Sequence, residues 1–262
     1  MKPVSFVTGA PALVTGKNLV LADLHLGIEK EFRESGIKFP SQTPKIRERI
    51  DILLEETGAE RLILLGDVKH KVPGISLQEM REIPEFLAYF AGKTSVEIVP
   101  GNHDAGIEKF VPKDVRLHPS EGFLLDGVYF CHGHSWPDPS FMKSKIVVMG
   151  HQHPVIEFRD RLNYRFTEQV WLRGKLKEEK IREKYKGKAA DGKLPGLPEA
   201  VILPAFNVLS GGVPVNRHLT EDMRKNFIGP VIKELDEKSS EVHLLDGTLM
   251  GTISELKKAR IG

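Results

Sequence analysis

The first half of the chain alternates short apolar runs with longer stretches in which apolar residues recur at helical spacing. Alternation of this kind predicts strands and helices arranged as βαβ units around a parallel sheet. Thr43, which precedes Pro44, and Ser76 are predicted N-caps of the helices. The predicted strands are 18–22, 61–65, 95–99 and 145–149, and the predicted helices are 43–58 and 76–90.

The second half of the chain shows hairpin patterns instead. Asp126-Gly127 and Asp246-Gly247 each separate two short apolar runs. An Asp-Gly pair in that position favours a tight turn between antiparallel strands. We therefore expect this half to be partly antiparallel.

Composition limits the class of protein. The 262 residues carry a net charge of +2 and are 40% hydrophobic, which allows a large buried core. No apolar run approaches the ~18 residues of a membrane helix, and the N-terminus lacks the apolar segment of a secretory signal, so we expect a cytoplasmic protein without a membrane partner. The single cysteine, Cys131, excludes an internal disulfide and thiolate-based metal frameworks.

One segment is strongly basic. Residues 173–188 contain eight Lys or Arg and three Glu, and glycines and prolines, among them Gly187, Gly192 and Pro195, follow as far as 198. We predict an inserted arm at about 173–198 in a single domain that spans 1–262. The arm is either a nucleic-acid-binding surface or a solvated helix whose charges pair with one another. Trp171, near its start, either stacks on a base or belongs to the core.

Five polar clusters follow predicted strands. Ligands collect beyond the carboxyl ends of parallel strands, so clusters that are distant in sequence can converge there. Carboxylate, imidazole and amide groups without thiolates suit divalent manganese, iron, nickel or zinc. The clusters are Asp23-Leu-His25, Gly66-Asp67, Gly101-Asn102-His103-Asp104, Cys131-His132-Gly133-His134 and Gly150-His151-Gln152-His153.

In this order the clusters resemble the signature of the calcineurin-like metallophosphoesterase superfamily, which is D-x-H, G-D, G-N-H-D/E, a lone H and G-H-x-H. Residues 23–27, 36–40, 65–70 and 203–212 further resemble the prokaryotic SbcD-related branch that includes the ligase-associated PdeM phosphoesterases. The resemblance implies an α/β fold: a four-layer α/β/β/α sandwich with two mixed β-sheets and a metal site at the C-terminal ends of strands.

The resemblance also implies a site with two divalent ions, for which manganese is the first expectation. His103 and Asp104 are the candidate catalytic residues: His103 faces the substrate phosphate, and Asp104 orients a neighbouring group. His132 and His134 compete for one ligand position; we favour His132, which leaves His134 as a candidate substrate-binding residue. The implied ligands are Asp23, His25, Asp67 and His153 for the first ion, and Asp67, Asn102, His132 and His151 for the second.

The implied activity is hydrolysis of phosphodiesters, of nucleic-acid or nucleotide type, by a hydroxide between the two ions. A phosphomonoesterase is one alternative, and a non-catalytic or partner-dependent DNA-repair module is another. The intact Asp-x-His motif and His103 favour an enzyme, and nothing in the sequence marks an oligomer or a repair partner. The remaining histidines are expected in the core or on the surface, although His70 lies close in sequence to Asp67. They are His70, His118, His218 and His243.

Overall fold

Two β-sheets that pack face to face form the middle of the protein. The computed structural model describes residues 4–186 and 196–259. Four neighbouring strands of the first sheet are parallel, and the two at its amino-terminal edge are antiparallel. In both chain and sheet order, the strands are β1 (Val4–Phe6), β2 (Leu13–Thr15), β3 (Asn18–Ala22), β4 (Arg61–Leu65), β5 (Ser95–Val99) and β6 (Val115–Leu117).

The second sheet is also mixed. Its strands are β7 (Phe123–Leu125), β8 (Val128–Phe130), β9 (Ile146–Met149), β10 (Pro154–Arg159), β11 (Arg165–Gly174), β12 (Glu199–Ile202), β13 (Val213–Pro214), β14 (Glu241–Leu244) and β15 (Leu249–Thr252). Seven of them follow the order β13-β10-β11-β12-β9-β8-β7, while β14 pairs with β11 and β15 with β14. Strands β8, β9 and β12 are parallel, and both predicted Asp-Gly hairpins, β7-β8 and β14-β15, are confirmed.

Helices cover the outer faces of both sheets. They are α1 (Glu29–Glu34), α2 (Thr43–Thr57), α3 (Leu77–Ala91), α4 (Glu178–Lys184), α5 (Glu221–Phe227) and α6 (Ile253–Lys258), with short 3₁₀ turns between them. Among the described residues, none of these helices is long and apolar enough to cross a bilayer.

Three apolar cores separate the four layers. One lies between the first sheet and helices α2 and α3, the second lies between the two sheets, and the third joins the second sheet to α4 and α6. Strand β3 is buried at every position because both of its faces are covered. The predicted α/β/β/α sandwich with two mixed sheets is confirmed.

The two long helices begin differently from each other. Ser76 caps α3 as predicted, in a capping box in which its hydroxyl accepts from the Glu79 backbone N–H at 3.2 Å. Thr43 is not a cap, because it lies inside α2 and its hydroxyl donates to Glu82 Oε2 at 2.5 Å. Gly58, in the left-handed region at φ 59°, ends α2.

The first part of the predicted arm contains a helix, α4, in which Arg182 pairs with Glu178 as the helix alternative expected. Residues 173 and 174 close strand β11, and α4 packs against the third core through Ile181 and Tyr185, both buried. The Tyr185 hydroxyl donates to the Pro137 carbonyl at 2.6 Å. Trp171 belongs to the core, where it stacks on Phe6 with ring centroids 4.3 Å apart. The glycines and prolines predicted to interrupt regular structure, among them Gly187, Gly192 and Pro195, lie outside the described residues.

Because α4 is a packed element, Ile181→Ala should lower the free energy of unfolding by about 2–4 kcal/mol through the cavity it leaves. Urea denaturation measures this. Glu179→Ala, an exposed change on the same helix, is the control and should shift stability by less than about 0.5 kcal/mol. Equal effects of the two variants would show that α4 is a solvated arm.

Candidate metal centre

All five polar clusters come after strands whose carboxyl ends meet at one edge of the sandwich. Strands β3, β4 and β5 of the first sheet lead into the clusters at 23–25, 66–67 and 101–104. Strands β8 and β9 of the second sheet lead into those at 131–134 and 150–153. The parallel pairing within each sheet aligns these ends, so the clusters converge.

Five candidate ligands share an unusual backbone conformation. Their φ angles are positive, between 42° and 70°, in a region that residues other than glycine seldom adopt. Such strain persists where the surrounding structure enforces it, and it clusters at functional sites. Here it turns the chain sharply at the strand end and directs the side chains toward the centre. These residues are Asp23, His25, Asp67, His151 and His153.

The first ligand group combines two carboxylates and two imidazoles. One ligand atom from each of Asp23, His25, Asp67 and His153 lies within 4.8 Å of the others. The Nε2 atoms of His25 and His153 are 3.3 Å apart, and His153 Nε2 is 3.3 Å from Asp23 Oδ1. These four residues are the ligands that the family resemblance implies for the first ion.

The second group shares Asp67 with the first. Asp67, His132 and His151 place ligand atoms within 4.8 Å of one another. His132 Nε2 lies 3.4 Å from Asp67 Oδ2 and 3.2 Å from Asn102 Oδ1. The same Oδ2 atom is 3.8 Å from His25 Nε2 in the first group. Asp67 therefore lies between two groups of candidate metal ligands.

These spacings fit divalent metal ions. Ligand atoms bound at ~2.1 Å from one ion lie roughly 3.0–3.4 Å from each other in tetrahedral or octahedral geometry. The contacts between His25 and His153, His153 and Asp23, and His132 and Asn102 have these lengths. The Nδ1 of His132 contacts the Leu65 carbonyl at 2.8 Å, which fixes Nε2 as the atom that faces the donors.

The electrostatics of the site are also suited to binding cations. Burial favours the neutral form of Asp67, but the charge and hydrogen bond of His132, with His25 and His103, hold its pKa well below the ordinary value. Burial, with the neighbouring imidazoles of His153, His103 and His70, lowers the pKa of His25 well below its usual range, and burial together with His132 lowers that of His151 to about 3. Both imidazoles are therefore neutral, the form that binds a metal.

Two glycines make room for this packing. A Cβ on Gly66, whose φ is +72°, would lie 2.3 Å from His132 Nδ1, and a Cβ on Gly101 would lie 2.1 Å from Asp67 Oδ1. Only glycine lets the backbone approach these side chains so closely. The glycines of the motifs thus set the positions of Asp67 and His132.

His103 and Asp104 occupy different places beside the metal centre. The His103 backbone N–H donates to Asp67 Oδ1 at 2.8 Å, and its ring lines the cavity above the centre. Asp104 is buried beneath the loop and accepts from the backbone N–H groups of Lys69 and Gly101 at 3.1 and 2.8 Å. It does not line the cavity, and its two backbone hydrogen bonds agree with the expected orienting role.

Comparison with known proteins agrees with this geometry. The family model described as calcineurin-like phosphoesterase matches residues 17–186, which include all five clusters. This chain belongs to the calcineurin-like phosphoesterase family. No curated protein matches the sequence.

Solved structures resemble this calcineurin-like phosphoesterase in fold. The Pseudomonas putida nuclease MPE aligns over 93% of this chain and 98% of its own at 18% identity, with a TM-score of 0.54. YfcE, a phosphoesterase from E. coli, aligns over 94% of this chain and 99% of its own at 15% identity, with a TM-score of 0.42.

His70 belongs to the site, contrary to the expectation of a core or surface role. Its Nδ1 lies 3.3 Å from His25 Nδ1, and its carbonyl is 2.5 Å from His103 Nδ1. The three imidazoles form a further cluster within 4.8 Å, and His70 lines the same cavity as His103. Glu31 Oε1 lies 2.9 Å from His70 Nε2. The one sequence signal was that His70 follows Asp67 by three residues.

The other histidines lie as expected or close to it. His134 is next to His132, with ring centroids 5.2 Å apart, but it does not line the cavity that His103 lines. Its role as a substrate-binding residue stays a prediction. His118 is a core residue that contacts Glu97 and stacks on Phe123.

A loop from the second half holds the Asp-x-His segment in place. Asn207 Nδ2 donates to the carbonyls of Leu24 and His25 at 2.9 and 3.3 Å, and the Asn207 N–H donates to the Asp23 carbonyl. These bonds satisfy the backbone of a segment whose strained residues could not pair in a strand. The 203–212 segment thus stabilises the backbone of the Asp-x-His segment at the metal centre.

Gly101→Ala should displace Asp67, because the new Cβ would meet its carboxylate, and should lower the bound metal by half or more. Elemental analysis after metal loading measures this. Gly196→Ala adds the same methyl group where no atom of residues 4–186 and 196–259 lies within 4 Å, and it should bind metal as the parent does. Full metal content in Gly101→Ala would contradict the position given to Asp67.

Proposed function

We propose that this protein hydrolyses phosphodiesters of nucleic-acid or nucleotide type with two divalent ions bound, manganese being the first expectation. The observation that carries the proposal is Asp67 Oδ2, which lies 3.8 Å from His25 Nε2 and 3.4 Å from His132 Nε2 and so joins two ligand groups. Family membership supports a metal-dependent phosphoesterase.

When bound, the two ions supply a nucleophilic hydroxide at neutral pH and stabilise the charge of the phosphoryl oxygens. The two groups described above would hold them, with Asn102 as the amide ligand of the second. Asp67 would be shared by the two groups, and the neighbouring imidazoles offset the cost of burying its charge.

His103 is positioned to act on the substrate. Its Nδ1 must carry a proton, because the His70 carbonyl 2.5 Å away can only accept. Its Nε2 is the atom left for the substrate, and it lies 4.0 Å from Asp67 Oδ2, next to the metal centre. In the imidazolium form this nitrogen donates to a phosphoryl oxygen or protonates the departing alkoxide.

The cavity favours a diester over a small monoester. It has a volume of about 410 Å³ and places an apolar wall, formed by Val213, Pro214, Met223 and Phe227, together with the metal centre. Phe227 is 54% exposed and available for contact. A diester carries a second organic group that such a wall can cover, and an aromatic ring stacks well on a nucleobase.

His103→Ala should keep both metal ions and lose at least about 100-fold in kcat on a phosphodiester, since the ring donates to substrate and belongs to neither ligand group. Steady-state kinetics with elemental analysis measures both properties. His243→Ala, which removes a histidine paired with Glu241 away from the centre, is the control and should leave the rate unchanged. An unchanged rate in His103→Ala would remove this role.

Substrate class is tested with the metal-free protein reloaded in turn with manganese, iron, nickel or zinc. We expect kcat/KM for bis-p-nitrophenyl phosphate to exceed that for p-nitrophenyl phosphate by at least about tenfold, or about 1.4 kcal/mol. Faster hydrolysis of the monoester would favour a phosphomonoesterase. Absence of hydrolysis with every metal would favour a non-catalytic module.

A further inference from the structure

A second cavity adjoins the one at the metal centre. It has a volume of about 90 Å³, and its floor is apolar. Gln152 and Pro214 line both cavities, so the two share a wall. Gln152 is the residue between His151 and His153, and therefore the shared wall is continuous with the metal-binding segment.

Helix α5 separates the two cavities. Met223 and Phe227, four residues apart, share one side of α5, next to Asn226, and line the cavity at the metal centre. Arg224, together with Ile228 just beyond the helix, lines the adjoining cavity.

The second cavity has an excess of positive charge. Its charged lining residues are Arg217, Arg224, Lys233, Lys257 and Glu237. Glu237 is engaged by Lys257 at 2.8 Å, and Arg217 contacts Glu157 through Nε at 2.9 Å. In the part of the chain that the structure describes, no carboxylate lies within ion-pair distance of Arg224 or Lys233. Arg224 is exposed and Lys233 half-buried, so both cations are accessible to an anion from solvent.

Two buried polar atoms at this wall lack hydrogen-bond partners among the described residues. They are Nη2 of Arg217 and Oε1 of Gln152. Buried polar groups are nearly always paired, so each of these two atoms calls for a partner such as an ordered water or a bound ion. Rotation of the Gln152 amide by 180° exchanges its oxygen for an N–H donor, and Arg217 Nη2 is a charged donor.

We propose that the second cavity is an anion subsite that binds a phosphate group through Arg217, Arg224 and Lys233. Guanidinium and ammonium donors match the tetrahedral array of phosphate oxygens, and charge-assisted bonds of this kind are strong. The phosphate is either the neighbouring phosphate of a substrate whose scissile bond lies at the metal centre, which rests on the proposed function, or free inorganic phosphate.

Binding is tested by calorimetric titration of the metal-free protein with inorganic phosphate. The double variant Arg224→Gln with Lys233→Gln should weaken the affinity at least about tenfold. Lys225→Gln, which removes the same charge from α5 at a position that lines neither cavity, is the matched control and should bind as the parent does. Equal affinity in the parent and the double variant would overturn the subsite.

Kinetics then separate the two sources of phosphate. The readout is the ratio of kcat/KM for a dinucleotide with a terminal phosphate to that for bis-p-nitrophenyl phosphate, with manganese bound. A ratio that falls about tenfold or more in the double variant, and not in Lys225→Gln, assigns the subsite to the neighbouring phosphate of the substrate. An unchanged ratio with weakened phosphate binding assigns it to free phosphate. If the parent hydrolyses neither diester, the proposed function fails, while the calorimetric result still decides the subsite.

Discussion

The structure depends on one buried carboxylate. Asp67 sits in the protein interior with Nε2 atoms of His25, His132 and His103 within 4.0 Å and a backbone N–H on its other oxygen. An isolated charge at such a depth would be strongly unfavourable, so its surroundings must supply positive charge. The glycines beside it, the left-handed backbone of the ligands and the convergence of the strand ends all serve that requirement.

The sequence was informative where local patterns and topology agree. Strands β3, β4, β5 and β9 are short apolar runs, and each leads into a polar cluster, so parallel pairing was enough to predict which clusters meet. The division of the candidate ligands into two groups that share Asp67 followed from the family resemblance, and the distances bring together two such groups, with His25, His70 and His103 as a third.

Other features depend on contacts that a sequence does not carry. His70 enters the site because its N–H and that of Lys71 donate to Glu79 Oε1, a contact between a loop and a helix start. The charged residues around α4 concealed the packing of this helix against the core. Two buried residues, Ile181 and Tyr185, are enough to anchor one side of so short a helix. The sequence suggested that Asp104 orients a neighbouring group, but not that this group is the backbone of Lys69 and Gly101.

The candidate ligands come from both halves of the sandwich. Asp23, His25, Asp67 and Asn102 follow strands of one sheet, whereas His132, His151 and His153 follow strands of the other. Ions bound between these two sets of ligands would cross-link the two sheets at the edge where apolar packing ends and polar loops begin. Thermal stability and catalytic activity would then depend on the same bound ions, so removal of the ions would lower both.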